Sequence, residues 1–413
     1  MLAEGMRQVA RGNLPRAADL VLTPANARRV TEKLSELRGA AMKVGQLLSM
    51  DAGDLLPAEM TAILARLRAD AKPMPMSEVV DVMQSSFGQG WEHRFTRFSF
   101  TPMAAASIGQ VHAATTQSGR HLALKIQYPG IVQSIDSDVD NVATLLRVSR
   151  LVPDGLDLQP LLQEAKRQLH EEADYLLEAR HLRHFAAVLA DMPEYLVPGV
   201  DEDLTRKNIL AMDFLDGVPI ESLTTATQTT RDRVIKLLLE LLFRELFVFG
   251  MIQTDPNFAN FLYNKTTRQV ELLDFGATRH YPAAVIQAYR GLLCAALRED
   301  HAAMSESAEA IGYFSEDIHT SQRAAVLKLF SLATEPARTG GSFDFGSSDL
   351  AVRIRDAGMA LSFDEGYWHT PPADAVFLHR KLGGLYLLAA RLRANIDVRA
   401  ILEKHLESQD TPA

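Results

Sequence analysis

The segment 255–276 constrains the chain most strongly, because it sets three polar side chains in a fixed order around a hairpin. Asp255 opens the run Asp-Pro-Asn-Phe-Ala-Asn, which ends at Asn260. Two short apolar runs then flank a turn at 264–267, and Asp274-Phe275-Gly276 follows. The pattern predicts a small β-hairpin with an acid and an amide before it and a second acid after it.

Phosphoryl transfer requires this set of groups. One carboxylate orients or deprotonates a nucleophile, while an amide oxygen and a second carboxylate hold Mg²⁺ on the phosphates. Asp255, Asn260 and Asp274 match these roles. Either motif alone is weak, since Asp-Pro-Asn is also a turn sequence and Asp-Phe-Gly is common, but the ordered pair is specific. A second Asp-Phe-Gly, at 344–346, lacks a preceding apolar strand and is predicted to be a structural loop.

A β-rich unit precedes this segment and carries one lysine on an apolar strand. The residues at 95–100 alternate between phenylalanine and polar side chains, a tight loop contains Ala104-Ala105-Ala106-Ser107, and a turn at 117–120 leads into the run 121–126. The pattern predicts strands joined by tight turns. Lys125 is a candidate ligand for nucleotide phosphate oxygens, and the alternative is a strand-end lysine that reaches solvent.

Helical patterns flank the β-rich unit. Apolar positions recur every three or four residues from Val30 to Met50, and Lys43-Val44-Gly45-Gln46 lies on this predicted helix. An acidic helical pattern covers 158–189, a buried strand is predicted at 208–214, and the chain after Gly217 is mainly helical. We predict an α+β, bilobal chain in three parts: a helical extension at 1–93, a β-rich lobe with inserted helices at 94–216, and a helical lobe at 217–413.

Composition and charge restrict the partners of the chain. Its 413 residues are 47% hydrophobic and 23% charged, as is typical of a globular protein. The net charge of −9 argues against a nucleic-acid-binding protein, since phosphate neutralisation requires a basic face. Cys294 is the single cysteine, so no intramolecular disulfide can form. No secretory pattern occurs in 1–20, so we expect a cytoplasmic protein. Charged residues interrupt the apolar stretch 237–252, so we expect a buried helix there rather than a membrane span.

Several motifs occur in an order that resembles a known family. They are Lys43-Val44-Gly45-Gln46, the run from Ala104 to His112, Lys125-Ile126-Gln127-Tyr128-Pro129-Gly130, Glu172-Ala173-Asp174-Tyr175, Gln253-Thr254-Asp255-Pro256-Asn257 and Leu273-Asp274-Phe275-Gly276-Ala277-Thr278-Arg279. From Arg38 to His405 the chain resembles the UbiB-like atypical kinases, also called the AarF-domain or ADCK family, in the coenzyme Q kinase-like branch. The resemblance implies a protein-kinase-like fold that binds ATP and Mg²⁺.

The resemblance also implies a role for each motif. The alanine-rich loop would bind ATP together with Lys125, and the backbone of an inter-lobe hinge would bind adenine. Two residues of the N-terminal extension would pack over the nucleotide against an acidic pair, and Glu178 would pair with Lys125. Helical spacing alone does not decide which of Glu171, Glu172, Asp174 and Glu178 faces Lys125, although Glu178 is preferred to Glu172. The alternative for Met212 is a side chain that fills core space. The residues concerned are Ala104, Ala105, Ala106 and Ser107 for the loop, Met212, Asp213 and Phe214 for the hinge, Lys43 and Gln46 for the extension, and Glu172 and Asp174 for the acidic pair.

Three departures separate the chain from ordinary protein kinases. Alanines replace the glycines over the phosphates, so we expect a different nucleotide geometry. Gln253 and Thr254 replace the usual histidine and arginine before the catalytic aspartate. A helix is predicted from about Pro282 with no Ala-Pro-Glu segment, which argues against a peptide-docking platform.

The predicted function is an ATP-dependent atypical kinase or ATPase that supports ubiquinone biosynthesis and acts on, or is coupled to, lipid intermediates or pathway enzymes. One alternative is a nucleotide-gated pseudokinase with a chaperone-like binding role, and another is a small-molecule phosphotransferase. The expected partners are ATP and ADP but not nucleic acid. Lipid substrates predict peripheral contact with the inner membrane through an amphipathic surface. The phosphoryl acceptor and the oligomeric state are left open.

Overall fold

The computed structural model describes residues 73–149, 159–255, 257–363, 367 and 371–407. These residues belong to two compact units. The first contains the described chain up to Leu176 together with Asp201–Ala211, and the second contains Leu177–Val200 and the chain from Met212 onward. Most of the predicted extension, including Lys43 and Gln46, lies outside the described residues, so the three-part division remains a prediction.

The described elements mix strands and helices, and this confirms the predicted α+β class. The strands are β1 (Phe95–Phe98), β2 (Ala104–Ala105), β3 (Gly109–Thr116), β4 (His121–Gln127), β5 (Tyr195–Leu196), β6 (Ile209–Asp213), β7 (Val218–Pro219), β8 (Met251–Gln253), β9 (Phe261–Tyr263), β10 (Val270–Leu272), β11 (Thr278–His280), β12 (Phe343–Asp344) and β13 (Asn395–Ile396). The α-helices are α1 (Met76–Phe87), α2 (Ile131–Ser149), α3 (Gln159–Glu172), α4 (Tyr175–Val188), α5 (Gln228–Arg244), α6 (Ala283–Leu297), α7 (His301–Ile311), α8 (Thr320–Ala333), α9 (Glu335–Arg338), α10 (Leu350–Phe363), α11 (Ala373–Arg391) and α12 (Val398–Leu406).

A sheet with the strand order β1-β3-β4-β6 forms the centre of the first unit. The predicted hairpin is β3–β4, in which Val111 lies opposite Lys125. Alternate side chains of β4 enter the core, where they meet the buried face of α1. That face exists because Val79, Val82 and Met83 recur at helical spacing.

The acidic helical pattern at 158–189 forms two helices rather than one. α3 ends at Glu172 and α4 begins at Tyr175. The break frees the carbonyl oxygen of Ala173, and Gln127 Nε2 of β4 donates to it at 2.6 Å. Because a carbonyl at a helix end lacks its intrahelical donor, this amide satisfies the group that the break exposes.

Helix α5 is the buried centre of the second unit. Thr227 caps its N-terminus by accepting the N–H of Thr230. The prediction of one buried helix over 237–252 is partly wrong, because α5 ends at Arg244, a π-helical turn covers Glu245–Phe249, and Met251–Gln253 is strand β8. Gly250 makes the change of direction at φ 62°, a conformation in which glycine meets no steric penalty.

Short strands of the second unit position the polar segment 255–276. The predicted hairpin is present as β9 and β10, which pair antiparallel with Phe261 opposite Leu272. β8 pairs antiparallel with β11, with Gln253 opposite Thr278. Among the helices of the described ranges, none combines the length and the apolarity that a membrane crossing requires.

Candidate functional site

Asp255 and Asn260 are joined directly within one loop of the second unit. Asp255 Oδ1 accepts the backbone N–H of Asn257 at 3.2 Å, and Asp255 Oδ2 accepts a hydrogen bond from Asn260 Nδ2 at 3.0 Å. Because this bond uses the amide nitrogen of Asn260, its amide oxygen remains as the atom that could ligate a metal. The loop therefore fixes the relative orientation of a carboxylate and an amide.

Asp274 lies beside this loop because the two segments are hydrogen-bonded at both ends. The N–H of Leu273 donates to the carbonyl oxygen of Asn260 at 3.0 Å. At the other end, the N–H and the hydroxyl of Thr254 both donate to the carbonyl oxygen of Ala277, at 2.8 and 2.7 Å. The structure thus brings Asp255, Asn260 and Asp274 together within the second unit.

Helix α4 packs on the Asp274-Phe275-Gly276 turn through one face. His181 Nδ1 donates to the carbonyl oxygen of Phe275 at 3.0 Å, and the rings of Phe185 and Phe275 lie 4.4 Å apart between centroids. Glu178 is fully buried on the same face, and a β-carbon at position 276 would lie 3.5 Å from its Oε2. His181 and Phe185 follow Glu178 by three and seven residues, so they lie on one helix face. Their partner Phe275 is almost a hundred positions away, and no local sequence pattern predicts these contacts.

The second Asp-Phe-Gly has the same local turn but different surroundings. Asp274 Oδ1 and Asp344 Oδ1 each accept the N–H of the following glycine at 2.9 Å. Asp344 is exposed, and hydrogen bonds from the Ser347 hydroxyl and from Gly346 N–H lower the pKa of its carboxyl. The tripeptide therefore specifies only a turn, and the neighbouring Asn260 loop distinguishes Asp274.

Lys125 is buried in the middle of β4, so the alternative of a lysine that reaches solvent is wrong. Its side chain is 7% exposed, and its Nζ lies 5.2 Å from the centre of the fully buried Tyr175 ring. Cations at this distance from an aromatic face are attracted by its quadrupole. No local sequence pattern marks Tyr175 as a neighbour of Lys125.

The alanine-rich loop is an ordered hairpin. Ala104 and Ala105 form β2 and pair with Val111 and Gln110 of β3, and the N–H of Ala106 donates to the carbonyl oxygen of Gly109 at 2.9 Å. All three alanines avoid the left-handed region of φ. A methyl group at these positions is therefore accommodated without backbone strain.

The acidic pair lies at the junction between α3 and α4. Ser107, at the end of the alanine-rich loop, donates from its hydroxyl to Glu172 Oε2 at 2.7 Å. Asp174 occupies the turn between the helices, where its N–H donates to the carbonyl oxygen of Glu171 at 3.1 Å. The first unit thus brings Ser107 and Glu172 together. The predicted contacts of Lys43 and Gln46 with the acidic pair lie outside the described residues, and the pairing of Glu178 with Lys125 remains a prediction.

Of the predicted hinge residues, Met212 and Asp213 end β6 and Phe214 follows it. Met212 is buried and bridges to Val200, and Phe214 is half-buried. Asp213 donates its N–H to the carbonyl oxygen of Gly199 at 2.9 Å and accepts the N–H of Gly199 on its carboxylate at 3.1 Å. The Asp213 side chain therefore fixes the backbone here, and adenine binding by these residues remains a prediction.

The second unit also contains a buried ion pair that the sequence analysis missed. Lys381 Nζ of α11 contacts Glu245 Oε2, and both residues are almost completely buried. Glu245 opens the π-helical turn, and Lys381 lies 136 positions away, so no local pattern connects them. Gln253 is also buried, and its side-chain amide makes no hydrogen bond within the described part of the chain.

Comparisons with known proteins identify the relatives of this chain. The ABC1 atypical kinase-like domain matches residues 66–308. The chain is 40% identical over 396 residues to "Atypical kinase COQ8, mitochondrial" of Saccharomyces cerevisiae, covering 95% of this chain and 79% of the relative. It is 36% identical to "Atypical kinase COQ8B, mitochondrial" of Rattus norvegicus, covering 92% of this chain and 72% of the relative.

A solved structure is similar along most of its length. The Mycobacterium tuberculosis protein Rv3197, described in complex with erythromycin, has a TM-score of 0.64 and 26% identity, covering 92% of this chain and 95% of that one. These matches confirm the family that the ordered motifs predicted and the kinase-like fold. The chain belongs to the ABC1 family of atypical kinase-like proteins.

Proposed function

We propose that this atypical kinase binds ATP with Mg²⁺ and catalyses phosphoryl transfer or ATP hydrolysis in support of ubiquinone biosynthesis. The observation that carries the proposal is the hydrogen bond from Asn260 Nδ2 to Asp255 Oδ2, in a loop whose Asn260 carbonyl oxygen accepts the N–H of Leu273, the residue before Asp274. This bond joins a carboxylate that can orient a nucleophile to an amide whose oxygen can ligate Mg²⁺, and Asp274 lies next to the loop.

The oxygen donors fit magnesium, which prefers hard oxygen ligands and binds through one or two carboxylates plus phosphate oxygens. In this proposal Asn260 and Asp274 hold the ion, which when bound neutralises charge on the phosphates. Asp255 accepts a hydrogen bond from the nucleophile, and Lys125 contacts the phosphates. The alanine-rich hairpin of Ala104 to Ser107 covers the nucleotide, and the backbone at 212–214 binds adenine.

The test compares two aspartates that share one local turn. Asp274→Asn is expected to reduce Mg²⁺-dependent ATP turnover by at least about a hundredfold, because the variant loses a charged metal ligand. Asp344→Asn is the matched control, since Asp344 makes the same bond to a following glycine but is exposed. Equal activity of the two variants, or a wild-type protein that neither binds nor hydrolyses ATP, would refute the proposal.

The Asp255→Asn variant distinguishes the alternative functions. A nucleotide-gated binding module requires ATP but no base, so Asp255→Asn would then retain full pathway function in cells. A small-molecule phosphotransferase would instead transfer phosphate to a soluble acceptor. We expect Asp255→Asn to bind ATP and to lose turnover.

Ubiquinone biosynthesis is the proposed context because the relatives carry COQ8 names and share most of the chain. Cells lacking the protein are expected to accumulate the same quinone intermediates as cells carrying Asp274→Asn. We propose a cytoplasmic protein that contacts the inner membrane, lipid intermediates or pathway enzymes peripherally. Flotation with anionic liposomes tests the membrane contact, and a protein that stays wholly at the bottom of the gradient would refute it.

A further inference from the structure

Glu271 of β10 is a buried carboxylate that the phosphoryl-transfer chemistry proposed above does not use. The residue is 1% exposed. Its Oε2 accepts the backbone N–H of Gly217 at 2.9 Å, and its Oε1 accepts a hydrogen bond from Asn264 Nδ2, also at 2.9 Å. Because a buried carboxylate is costly without hydrogen-bond donors, these two bonds constrain where both donors lie.

The side-chain amide of Asn264 has a fixed orientation towards Glu271. Its Oδ1 accepts the backbone N–H groups of Thr266 and Thr267, at 3.0 and 3.1 Å, within the turn between β9 and β10. The amide nitrogen is therefore the group that remains for the carboxylate. Glu271 thus fixes the turn end of the β9–β10 hairpin.

The open end of this hairpin carries the proposed magnesium ligands. Asn260 directly precedes β9, and Asp274 follows the end of β10 by two positions. The strands are paired up to this end, where Phe261 lies opposite Leu272 and the N–H of Leu273 donates to the carbonyl oxygen of Asn260 at 3.0 Å. A movement of the hairpin therefore moves both ligands together.

The second donor, Gly217, attaches the exit of the predicted hinge to the hairpin. Gly217 follows Phe214 by three positions and directly precedes β7, which pairs antiparallel with β9. A β-carbon at position 217 would lie 2.3 Å from Glu271 Oε2 and 2.7 Å from Leu262 Cβ. Glycine therefore permits the close approach of the hinge exit to the carboxylate. The hinge exit and the hairpin both belong to the second unit.

We propose that Glu271 is a positioning residue that sets the distance between the hinge backbone at 212–214 and the magnesium ligands Asn260 and Asp274. This inference rests on the proposed function, because it takes adenine to bind at the hinge and Mg²⁺ to bind at the hairpin. A ligand that spans both sites requires the correct separation, whereas a ligand that reaches only the hinge does not.

Each of the two sites also has local hydrogen bonds that do not involve Glu271. At the hinge, the Asp213 carboxylate accepts the N–H of Gly199 at 3.1 Å. At the metal site, Asn260 Nδ2 donates to Asp255 Oδ2 at 3.0 Å. We therefore expect a change at Glu271 to alter the separation of the two sites and to leave each site intact.

The first arm of the test exchanges the carboxylate and the amide. Glu271→Gln places an amino group against one of the two N–H donors, and Asn264→Asp brings two carboxylates together, so each single variant loses an interaction. The double variant Glu271→Gln/Asn264→Asp restores the interaction with the donor and the acceptor exchanged, because the new glutamine amide can donate to the new aspartate carboxylate.

Two affinities are measured well below the unfolding temperature of each protein: that for a non-hydrolysable ATP analogue with Mg²⁺, and that for adenosine, which has no phosphate. Glu271→Gln is expected to weaken binding of the analogue by about three- to thirtyfold and binding of adenosine by less than about twofold. The double variant should bind the analogue within about threefold of the wild-type affinity. An unchanged affinity of Glu271→Gln for the analogue, an equal loss for both ligands, or no recovery in the double variant would overturn the inference.

The second arm tests the same link without changing the carboxylate. In Gly217→Ala the added methyl group must move the hinge exit away from the hairpin, so the loss of affinity for the analogue should again exceed the loss for adenosine. Asp232→Asn is the matched control, because Asp232 of α5 also accepts a backbone N–H and a side-chain amide, from Asn395 and Gln228, both at 2.7 Å. This control should bind both ligands as the wild type does, and the same selective loss in it would contradict the role of Glu271.

The wild-type protein separates failure of the inference from failure of the proposed function. A wild type that binds neither adenosine nor the ATP analogue with Mg²⁺ would refute the function. A wild type that binds both, together with a Glu271→Gln variant of unchanged affinities, would overturn the positioning role alone.

Discussion

At the residue scale, Lys125 depends on neighbours that come from another part of the chain. A buried ammonium requires compensation for lost hydration, and the Tyr175 ring provides part of it at 5.2 Å. Gln127, two residues further along β4, bonds the carbonyl oxygen of Ala173. The strand and the α3–α4 junction are therefore joined at adjacent positions, which places Lys125 and Glu172 within one compact unit.

We predict that Tyr175→Leu weakens ATP binding by about three- to thirtyfold, because the ring that faces the Lys125 ammonium is lost. Tyr175→Phe is the matched control, since it keeps the aromatic face and removes only the hydroxyl. Calorimetric titration with ATP and Mg²⁺, well below the unfolding temperature of each variant, provides the measurement. Equal affinities for the two variants would mean that the ring does not act through Lys125.

The sequence predicts the polar residues of the site better than their supports. Asp255, Asn260 and Asp274 are recognisable because their chemistry and order are local properties of one segment. Tyr175 and Glu271 are not, because an aromatic residue after a helix break and a glutamate inside a short strand occur in most proteins. Partners of these two residues lie 50 and 54 positions away, and only the folded chain brings them into contact.

At the scale of elements, the predictable strands are those that a polar turn sequence separates from the preceding element. β3, β4, β9 and β10 follow turn sequences, whereas β8 follows a helix without a polar break. A short apolar run next to a buried helix has no periodicity that separates strand from helix. Gly250 is the one residue in this run that indicates the end of the helix, since glycine commonly ends a helix in the left-handed conformation.

The hairpin of β3 and β4 depends on close approach at Gly109. A β-carbon there would lie 2.2 Å from the carbonyl oxygen of Ile126 and 3.0 Å from the Tyr175 hydroxyl. Gly109→Ala is expected to cost roughly 2–3 kcal/mol in the free energy of unfolding and to weaken ATP binding, because β3 must move away from β4 beside the alanine-rich hairpin.

Denaturant unfolding and ATP titration of Gly109→Ala provide the measurements. Gly340→Ala is the control, because a β-carbon at that position meets no atom within 4 Å. A Gly109→Ala protein as stable as this control, with wild-type affinity for ATP, would contradict the steric account.

At the scale of the whole molecule, a buried histidine links stability to pH. Burial, with the charges of Arg244, Lys404 and Arg290, lowers the pKa of His405 to about 4. As the pH falls, the His405 imidazole is protonated near pH 6.5 in the unfolded chain but only near pH 4 in the folded chain. The stability that neutral His405 provides is therefore complete above about pH 6.5 and is lost as the pH falls towards about 4.

We predict that His405→Leu reduces the loss of unfolding free energy at acid pH. Between pH 7 and pH 4.5, the wild type should lose roughly 1–3 kcal/mol more unfolding free energy than the variant, because leucine binds no proton. Denaturant titrations of both proteins at the two pH values give the difference. Parallel losses would assign the acid sensitivity to other groups.

We propose that Asn260 and Asp274 of the second unit hold one Mg²⁺–nucleotide complex. A crystal structure with Mg²⁺ and a non-hydrolysable ATP analogue tests this most directly. We predict the ion on the Asn260 amide oxygen and the Asp274 carboxylate. A nucleotide bound elsewhere, or an ion that contacts neither Asn260 nor Asp274, would contradict it.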